Sequence, residues 1–278
     1  MSDLIDIGVN LTHESFDRDR GDVLKQARDA GVRRLIVTGT SLTESVRALE
    51  LARAFPGTLY STAGVHPHNA AQFDEHTADA LGELLVRNEV VAVGECGLDF
   101  YRDFSPRDAQ RRAFQAQLEI AADVRLPVFL HQRDAHDELL ELLRPVRSSL
   151  CGGVAHCFTG TAQMARDYLD MDLYIGITGW LCDERRGADL KDAVRHLPLD
   201  RVMIETDAPY LLPRDLPRKP RGRRNEPRFL PHILVRMAEA MNRSVDEVAE
   251  ATRRNAEQLF SLPANQAGKD FNPSVKSD

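Results

Sequence analysis

Two hydrophobic periods alternate along this chain. Short apolar runs rich in Val, Ile, Leu and Tyr are each followed by a longer stretch with helical spacing of its apolar residues. The runs are LIDIG (4–8), RLIVTG (34–39), TLYSTAGV (58–65), VVAVGE (90–95), PVFLH (127–131), GVAHCF (153–158), LYIGIT (173–178) and RVMIET (201–206). Near-continuous apolar runs of this length suit strands covered on both faces. The stretches between them, such as LTESVRALELARAF after the second run and PRDAQRRAFQAQLEIAADV after the fourth, suit amphipathic helices. Strands alternating with helices imply a parallel sheet, and eight such units in roughly 260 residues predict a closed TIM-type (β/α)8 barrel. A doubly wound open sheet is the alternative. The lack of a GxGxxG after the first strand counts against its dinucleotide-binding form. One domain is expected over residues 1–264, with the aperiodic segment 265–278 as a disordered tail.

Composition narrows the class. With 42% hydrophobic and 28% charged residues among 278, the chain can bury a large core. No run approaches the roughly 18 apolar residues of a membrane helix, so no membrane association is expected. The start, MSDLIDIGVN, carries an early acid and no basic leader. Four scattered cysteines (Cys96, Cys151, Cys157, Cys182) form no CxxC, which points to a reduced, cytoplasmic protein. The net charge of −7 argues against a general nucleic-acid coat protein. It leaves room for an enzyme acting on nucleic acid through a local positive centre such as a bound metal ion.

The unusual polar residues fall at strand ends. Asn10 follows strand one. His66 and His68 follow strand three, Glu95 ends strand four, His131 ends strand five, His156 ends strand six and Asp207 follows strand eight. In a parallel barrel these positions share the C-terminal face, where such barrels hold their active sites. Imidazoles and carboxylates gathered there can bind Mg²⁺, Mn²⁺ or Zn²⁺. Such an ion lowers the pKa of water and polarises a phosphoryl or carbonyl oxygen, while a free carboxylate takes up a proton. Gly94 and Gly97, flanking Glu95, are expected to leave room for ion and substrate. Cys96 and Cys157 directly follow Glu95 and His156, so strand alternation predicts thiols turned outward toward the helices.

The segments GVHPHN, VGECGLDF, PVFLHQRDAH, VAHCFTG, YIGITGW and IETDAPYLLPRD resemble the TatD family of metal-dependent deoxyribonucleases, over about residues 4–262. The resemblance implies a TIM barrel and Mg²⁺- or Mn²⁺-dependent phosphodiester hydrolysis. It further implies 3′→5′ exonuclease action on single-stranded DNA, with RNA as a further substrate and a part in DNA repair. Position by position, it makes Glu95, His131 and His156 metal ligands. Asp207 becomes a ligand, the base that activates water, or both. His66 becomes a substrate or phosphate contact near the ion, with His68 beside it. Many relatives carry an HxH pair at the end of strand one, where this chain has Gly8-Val9-Asn10. Asn10 offers only a neutral amide, so it is placed among the substrate contacts. One divalent ion is expected around Glu95, His131 and His156, and a second is left open.

Two further features bear on substrate. Seven basic residues lie between Arg214 and Arg228, against Asp215 and Glu226. This basic loop is expected on the active-site side, steering phosphates, or else to be a solvated loop held by its prolines. Within it Arg224, Asn225 and Glu226 read as ties to the barrel. Arg133 has the reach to hold a phosphate bidentately, while Asp134 pairs with it or caps the next helix. Phe100, Tyr101, Phe104 and Trp180 either stack on unpaired bases or belong to the core. Glu205 either orients a ligand or closes the lower layer of the barrel. The leading reading is a nuclease in which Glu95, His66 and Asp207 act on the phosphodiester, with no obligate protein partner. The rival is an amidohydrolase-like C–N or ester hydrolase acting on a small molecule or an aminoacyl-tRNA.

Overall fold

In the computed structural model, which describes residues 3–263, eight strands follow one another in chain order around a parallel sheet. They are β1 (Leu4–Val9), β2 (Val32–Val37), β3 (Leu59–Ala63), β4 (Val90–Asp99), β5 (Val128–Arg133), β6 (Gly153–Ala155), β7 (Tyr174–Ile177) and β8 (Val202–Ile204). Helices α1 (Arg20–Asp29), α2 (Leu42–Ala54), α3 (Glu75–Leu85), α4 (Arg107–Val124), α5 (His136–Leu143), α6 (Ala162–Asp170) and α7 (Ala188–His196) cross over between them. Two more, α8 (Leu230–Met241) and α9 (Val245–Leu259), follow β8. The barrel seam is closed by side chain and backbone. Asp207 N donates to Gly8 O at 2.9 Å, Asn10 N to Ala208 O at 2.7 Å, and Thr206 N to the buried Asp6 carboxylate at 2.9 Å. The expected tail at 265–278 lies outside the described residues.

Alternation sorts the strand residues into two cores. Ile5, Ile7, Ile36, Tyr60, Val91, Phe129, Val154, Tyr174 and Met203 fill the barrel, every strand contributing. Their neighbours, such as Leu4, Leu35, Val37, Val93, Leu130 and Ile175, pack outward against the helices. Phe260 and Leu262, beyond α9, join the inner cluster and plug its lower mouth. The opposite mouth is the open one, and the catalytic candidates sit there.

Several strands stop sooner or later than their apolar runs. β6 ends at Ala155, so His156 lies one residue past it; β5 runs on through His131 to Arg133. The largest difference is β4, which continues four residues beyond Glu95 with all ten residues buried. Glu95 therefore does not end its strand.

Candidate metal centre

A bulge presents Glu95. Gly94 pairs with Phe129 and Cys96 with Leu130 on β5, so Glu95 is an extra residue opposite no partner. Its side chain is released from strict alternation, while Cys96 turns outward into the helix-facing core as expected. Gly94 and Gly97 serve a different purpose from the expected one. Both have positive φ (145° and 142°), and a Cβ on either would strike the β5 backbone at Phe129 O or His131 O. They make room for the neighbouring strand, which the bulge draws close.

Three imidazoles converge on one oxygen of Glu95. His156 Nε2 lies 2.6 Å from Oε1, His131 Nδ1 2.9 Å and His66 Nε2 3.4 Å. Donor atoms of His66, Glu95 and His131 all lie within 4.8 Å of one another. The far nitrogens of two of these rings face further buried carboxylates. His156 Nδ1 is 3.3 Å from Glu205, and His131 Nε2 is 3.4 Å from Asp99, without hydrogen-bond alignment. Asp99 also holds His68 Nε2 at 2.7 Å and accepts the backbone N–H groups of Tyr101 and Arg102. Asp207 accepts from the Asn10 amide at 3.0 Å, and its backbone has positive φ at 52°. Phe129 lies under the His156 ring, with centroids 4.6 Å apart.

The electrostatics follow from this crowding. Burial alone pushes the Glu95 carboxyl up, but the charge of His156, the neighbouring His66 and hydrogen bonds from His131 and His156 hold it well below the usual carboxylate range. Burial opposes a proton on His156, yet Glu95 and Glu205 carry it well above the ordinary imidazole value. For His131, too, burial is outweighed, by Asp99 and Glu95, and its pKa is raised. Burial drives His66 down to about 4, leaving it neutral. Asp207 is pushed up to about 7, mainly by burial, with Glu95 and Glu205 adding to the shift against His156.

These residues fit a divalent cation. Protons on His131 and His156 supply the positive charge that the Glu95 carboxylate needs, and a metal ion displaces such protons when it binds. Each of those rings is backed by a carboxylate on its outer nitrogen, the arrangement that orients metal-binding imidazoles.

Not every expected residue joins this group. Arg133 extends over Tyr101, its guanidinium carbon 3.9 Å from the ring centroid, with Asp134 neither paired to it nor capping α5. Cys157 departs from the expected outward orientation. Past the end of β6 alternation no longer applies, its φ is 47°, and its sulfur lies 3.9 Å from the Thr178 hydroxyl. Burial and then the nearby Asp207 and Glu205 charges push this thiol well above its ordinary pKa. Glu205 sits in a niche that Gly8 and Gly176 leave open, and it accepts from Cys157 N. Its other oxygen lies 3.3 Å from His156 Nδ1.

In the basic loop the expected ties at Arg224, Asn225 and Glu226 form, while two of its cations lie away from the active-site side. Arg218 and Lys219 line a groove with Gln26, Asp29 and Ala30 at the end of α1 that leads into β2, toward the opposite rim from the catalytic mouth. The cause is how the loop is anchored. Arg224 forms two bonds to Asp19, Asn225 Nδ2 donates to Thr206 O at 2.8 Å, and Glu226 pairs with Arg224 and Arg228. Arg214 is drawn to Asp183 and Glu184. Asp99 and Asp6 carried no expectation. The signal for Asp99 was an acid four residues past Glu95, at the end of a strand that runs longer than its apolar stretch.

Comparison with known proteins agrees with this geometry. The profile of the TatD-related DNase family matches residues 5–261. The chain is 51% identical over 263 residues to the 3′-5′ ssDNA/RNA exonuclease TatD of a Rahnella species, covering 95% of this chain and all of that one. It is 52% identical over 259 residues to the protein of the same name from Salmonella typhimurium, covering 93% and 99%. The crystal structure of a TatD homologue, YjjV from Escherichia coli K12, superposes with a TM-score of 0.86 at 30% identity, covering 94% and 99%. With the barrel, the carboxylate–imidazole centre and these matches together, the chain belongs to the TatD-related DNase family.

Proposed function

We propose that this chain is a metal-dependent 3′→5′ exonuclease acting on single-stranded DNA, and on RNA as a further substrate. The observation that carries the reading is the convergence of His66, His131 and His156 on one buried oxygen of Glu95, with Asp207 beside them. The names of the relatives at 51–52% identity supply the substrate and the polarity.

Glu95, His131 and His156 are the proposed ligands, with Asp207 completing the set. A bound divalent ion supplies Lewis-acid polarisation of water and of the phosphoryl oxygen. Mg²⁺ is the proposed physiological ion, because it is commonly held by few protein groups together with substrate phosphate oxygens. Asp207, raised by burial, accepts the proton released by the attacking water, and the Asn10 amide fixes its orientation. His66 is neutral, its Nδ1 accepts the His68 N–H and its Nε2 faces Glu95 Oε1; it is the proposed contact for the terminal phosphate, with His68 at its flank, ring centroids 4.2 Å apart. Glu205 and Asp99 hold His156 and His131 in their tautomers. Among the described residues no helix is long and apolar enough to cross a membrane.

The test is a 5′-labelled single-stranded oligonucleotide incubated with Mg²⁺ or Mn²⁺, with EDTA, and with Glu95→Ala and Asp207→Ala. A ladder shortening from the 3′ end, lost with chelator and in both variants, is the expected result. An intact strand with every ion overturns the reading and directs attention to amide and ester substrates.

A further inference from the structure

Apolar side chains left in solvent singly are ordinary, but several gathered at one mouth mark a candidate contact surface. Among the described residues, the aromatic side chains so exposed are Tyr101, Phe104 and Tyr210, at 57%, 68% and 51%. All three stand on loops at the catalytic mouth, two between β4 and α4 and one after β8. Phe100 and Trp180, at the same mouth, pack against the core instead. The three exposed rings are therefore not the overflow of a core that happens to end there.

The Phe104 ring borders a residue of the centre, and the other two stand on segments that lead out of it. Phe104 lies edge-on to His68, centroids 4.7 Å apart, and His68 in turn touches His66. Tyr210 N donates to Asp207 O, fixing the start of its loop, and its ring meets His13 at 5.7 Å. Tyr101 lies under the Arg133 guanidinium, with Arg102 at 5.8 Å. Neither arginine forms a salt bridge among the described residues, so both charges are available to phosphates.

The β4–α4 loop is rigid enough to present these rings. Asp99 accepts from the N–H groups of Tyr101 and Arg102. Buried Ser105 donates to His68 O and accepts from Ala71 N. Arg107 covers the Phe100 ring at 4.3 Å. Anchors on either side hold Tyr101 and Phe104 outward, so ring exposure comes at little ordering cost on binding.

Resting on the nuclease reading above, we infer that Phe104, Tyr101 and Tyr210 form a stacking platform for the unpaired bases of the strand being cut, and that Arg133 and Arg102 hold its phosphates. A flat apolar ring beside a cation suits a nucleotide, whose base has a π-face of any sequence and whose backbone is anionic. The cationic loop at Arg218 and Lys219 faces elsewhere, so on this surface strand recognition falls to the aromatics and their two arginines.

The test compares two 5′-labelled strands of equal length, one ordinary and one whose last three nucleotides are abasic. Binding is read by fluorescence anisotropy in EDTA, and turnover with Mn²⁺. Wild-type protein should favour the base-bearing strand by about ten-fold, within the range of base–aromatic stacking. Phe104→Ala and Tyr101→Ala should collapse that ratio toward one, chiefly through KM, and Phe104→Trp should restore it. Equal handling of both strands by the wild type, or equal losses on both strands in the variants, overturns the platform while the nuclease reading stands. Base-selective binding without cleavage under any ion supports the platform and removes the nuclease. Neither binding nor cleavage removes both.

Discussion

Asp99→Asn separates the role of a carboxylate from the role of a hydrogen-bond acceptor. In the native chain one Asp99 oxygen takes the backbone N–H groups of Tyr101 and Arg102 at 3.0 and 2.8 Å, while the other faces His68 at 2.7 Å and His131 at 3.4 Å. Asparagine keeps a carbonyl for the two backbone donors, so the loop stays folded. What it loses is the negative charge behind His131. Burial alone pushes the Asp99 carboxyl up, yet the close His131 and the hydrogen-bonded His68 hold it well below the usual range, so it is ionised at neutral pH. Replacing such a carboxylate behind a metal-binding imidazole lowers metal affinity by about 10- to 100-fold. The assay is nuclease rate against Mn²⁺ concentration, with a thermal melt of the metal-free protein as control. The half-saturating Mn²⁺ should rise 10- to 100-fold, with the rate at saturation reduced far less. An unchanged metal dependence refutes the argument that Asp99 acts through His131, and a collapsed melt assigns Asp99 to folding alone.

Other perturbations reach different parts of the structure. Gly8→Ala places a methyl against the buried Glu205 carboxylate and within 3.2 Å of the Phe129 ring. It should cost about 1–3 kcal/mol in chemical denaturation, as overpacking does, and reduce activity because Glu205 is pushed off His156. Asp6 is pushed up to about 8 from its ordinary 3.8, by burial before all else. The folded state thus holds this proton longer than the unfolded state, and stability falls as pH rises through 3.8 toward 8. With about 1.4 kcal/mol per pKa unit, full ionisation costs on the order of 5 kcal/mol. Asp6→Asn keeps an acceptor for Thr206 and should gain stability over wild type progressively across that window, read from urea midpoints at stepped pH; parallel curves would sink the idea. Asn225→Ala deprives the Thr206 carbonyl of its 2.8 Å donor and should destabilise by about 1–3 kcal/mol. A melt within error of wild type would show that the loop is held elsewhere.

The eight-unit rhythm was legible because a parallel barrel buries both faces of each strand, and burial writes itself as short apolar runs. The convergence of Asn10, His66, Glu95, His131, His156 and Asp207 was legible for a topological reason: residues at strand ends of one barrel share a rim. Less visible was anything that depends on a single backbone step. A bulge at Glu95 and a left-handed residue at Cys157 each cancel the two-residue alternation locally. That step changed the reading of Gly94, Gly97 and Cys157 while leaving the site intact. Asp99 was hidden because the same bulge carries β4 past its apolar stretch. The anchors of the basic loop at Arg224, Asn225 and Glu226 were legible, but their partners were not. Arg224 meets Asp19, 205 residues away in sequence, and no local pattern encodes such a pairing.

The glycine at the end of strand one ties two of these features together. There the chain carries Gly8 and, two residues on, Asn10. The space a side chain at position 8 would fill is taken by Glu205, reaching across from the end of β8, with Gly176 clearing the other side, where a Cβ would meet its Oε1 at 2.6 Å. Glu205 is fully buried, bonded to His156 Nδ1 and to the Cys157 N–H. Glycine at 8 is therefore a packing requirement of that carboxylate. That carboxylate lies 3.3 Å from His156 Nδ1 and fixes the orientation of the ring, while position 8 itself offers no side-chain donor. The same crowding leaves Asn10, two residues on, free to serve Asp207, which lies across the seam from it at 3.0 Å. The Gly8–Asn10 triplet thus serves the centre through two buried acids, giving Glu205 its space and Asp207 its amide partner.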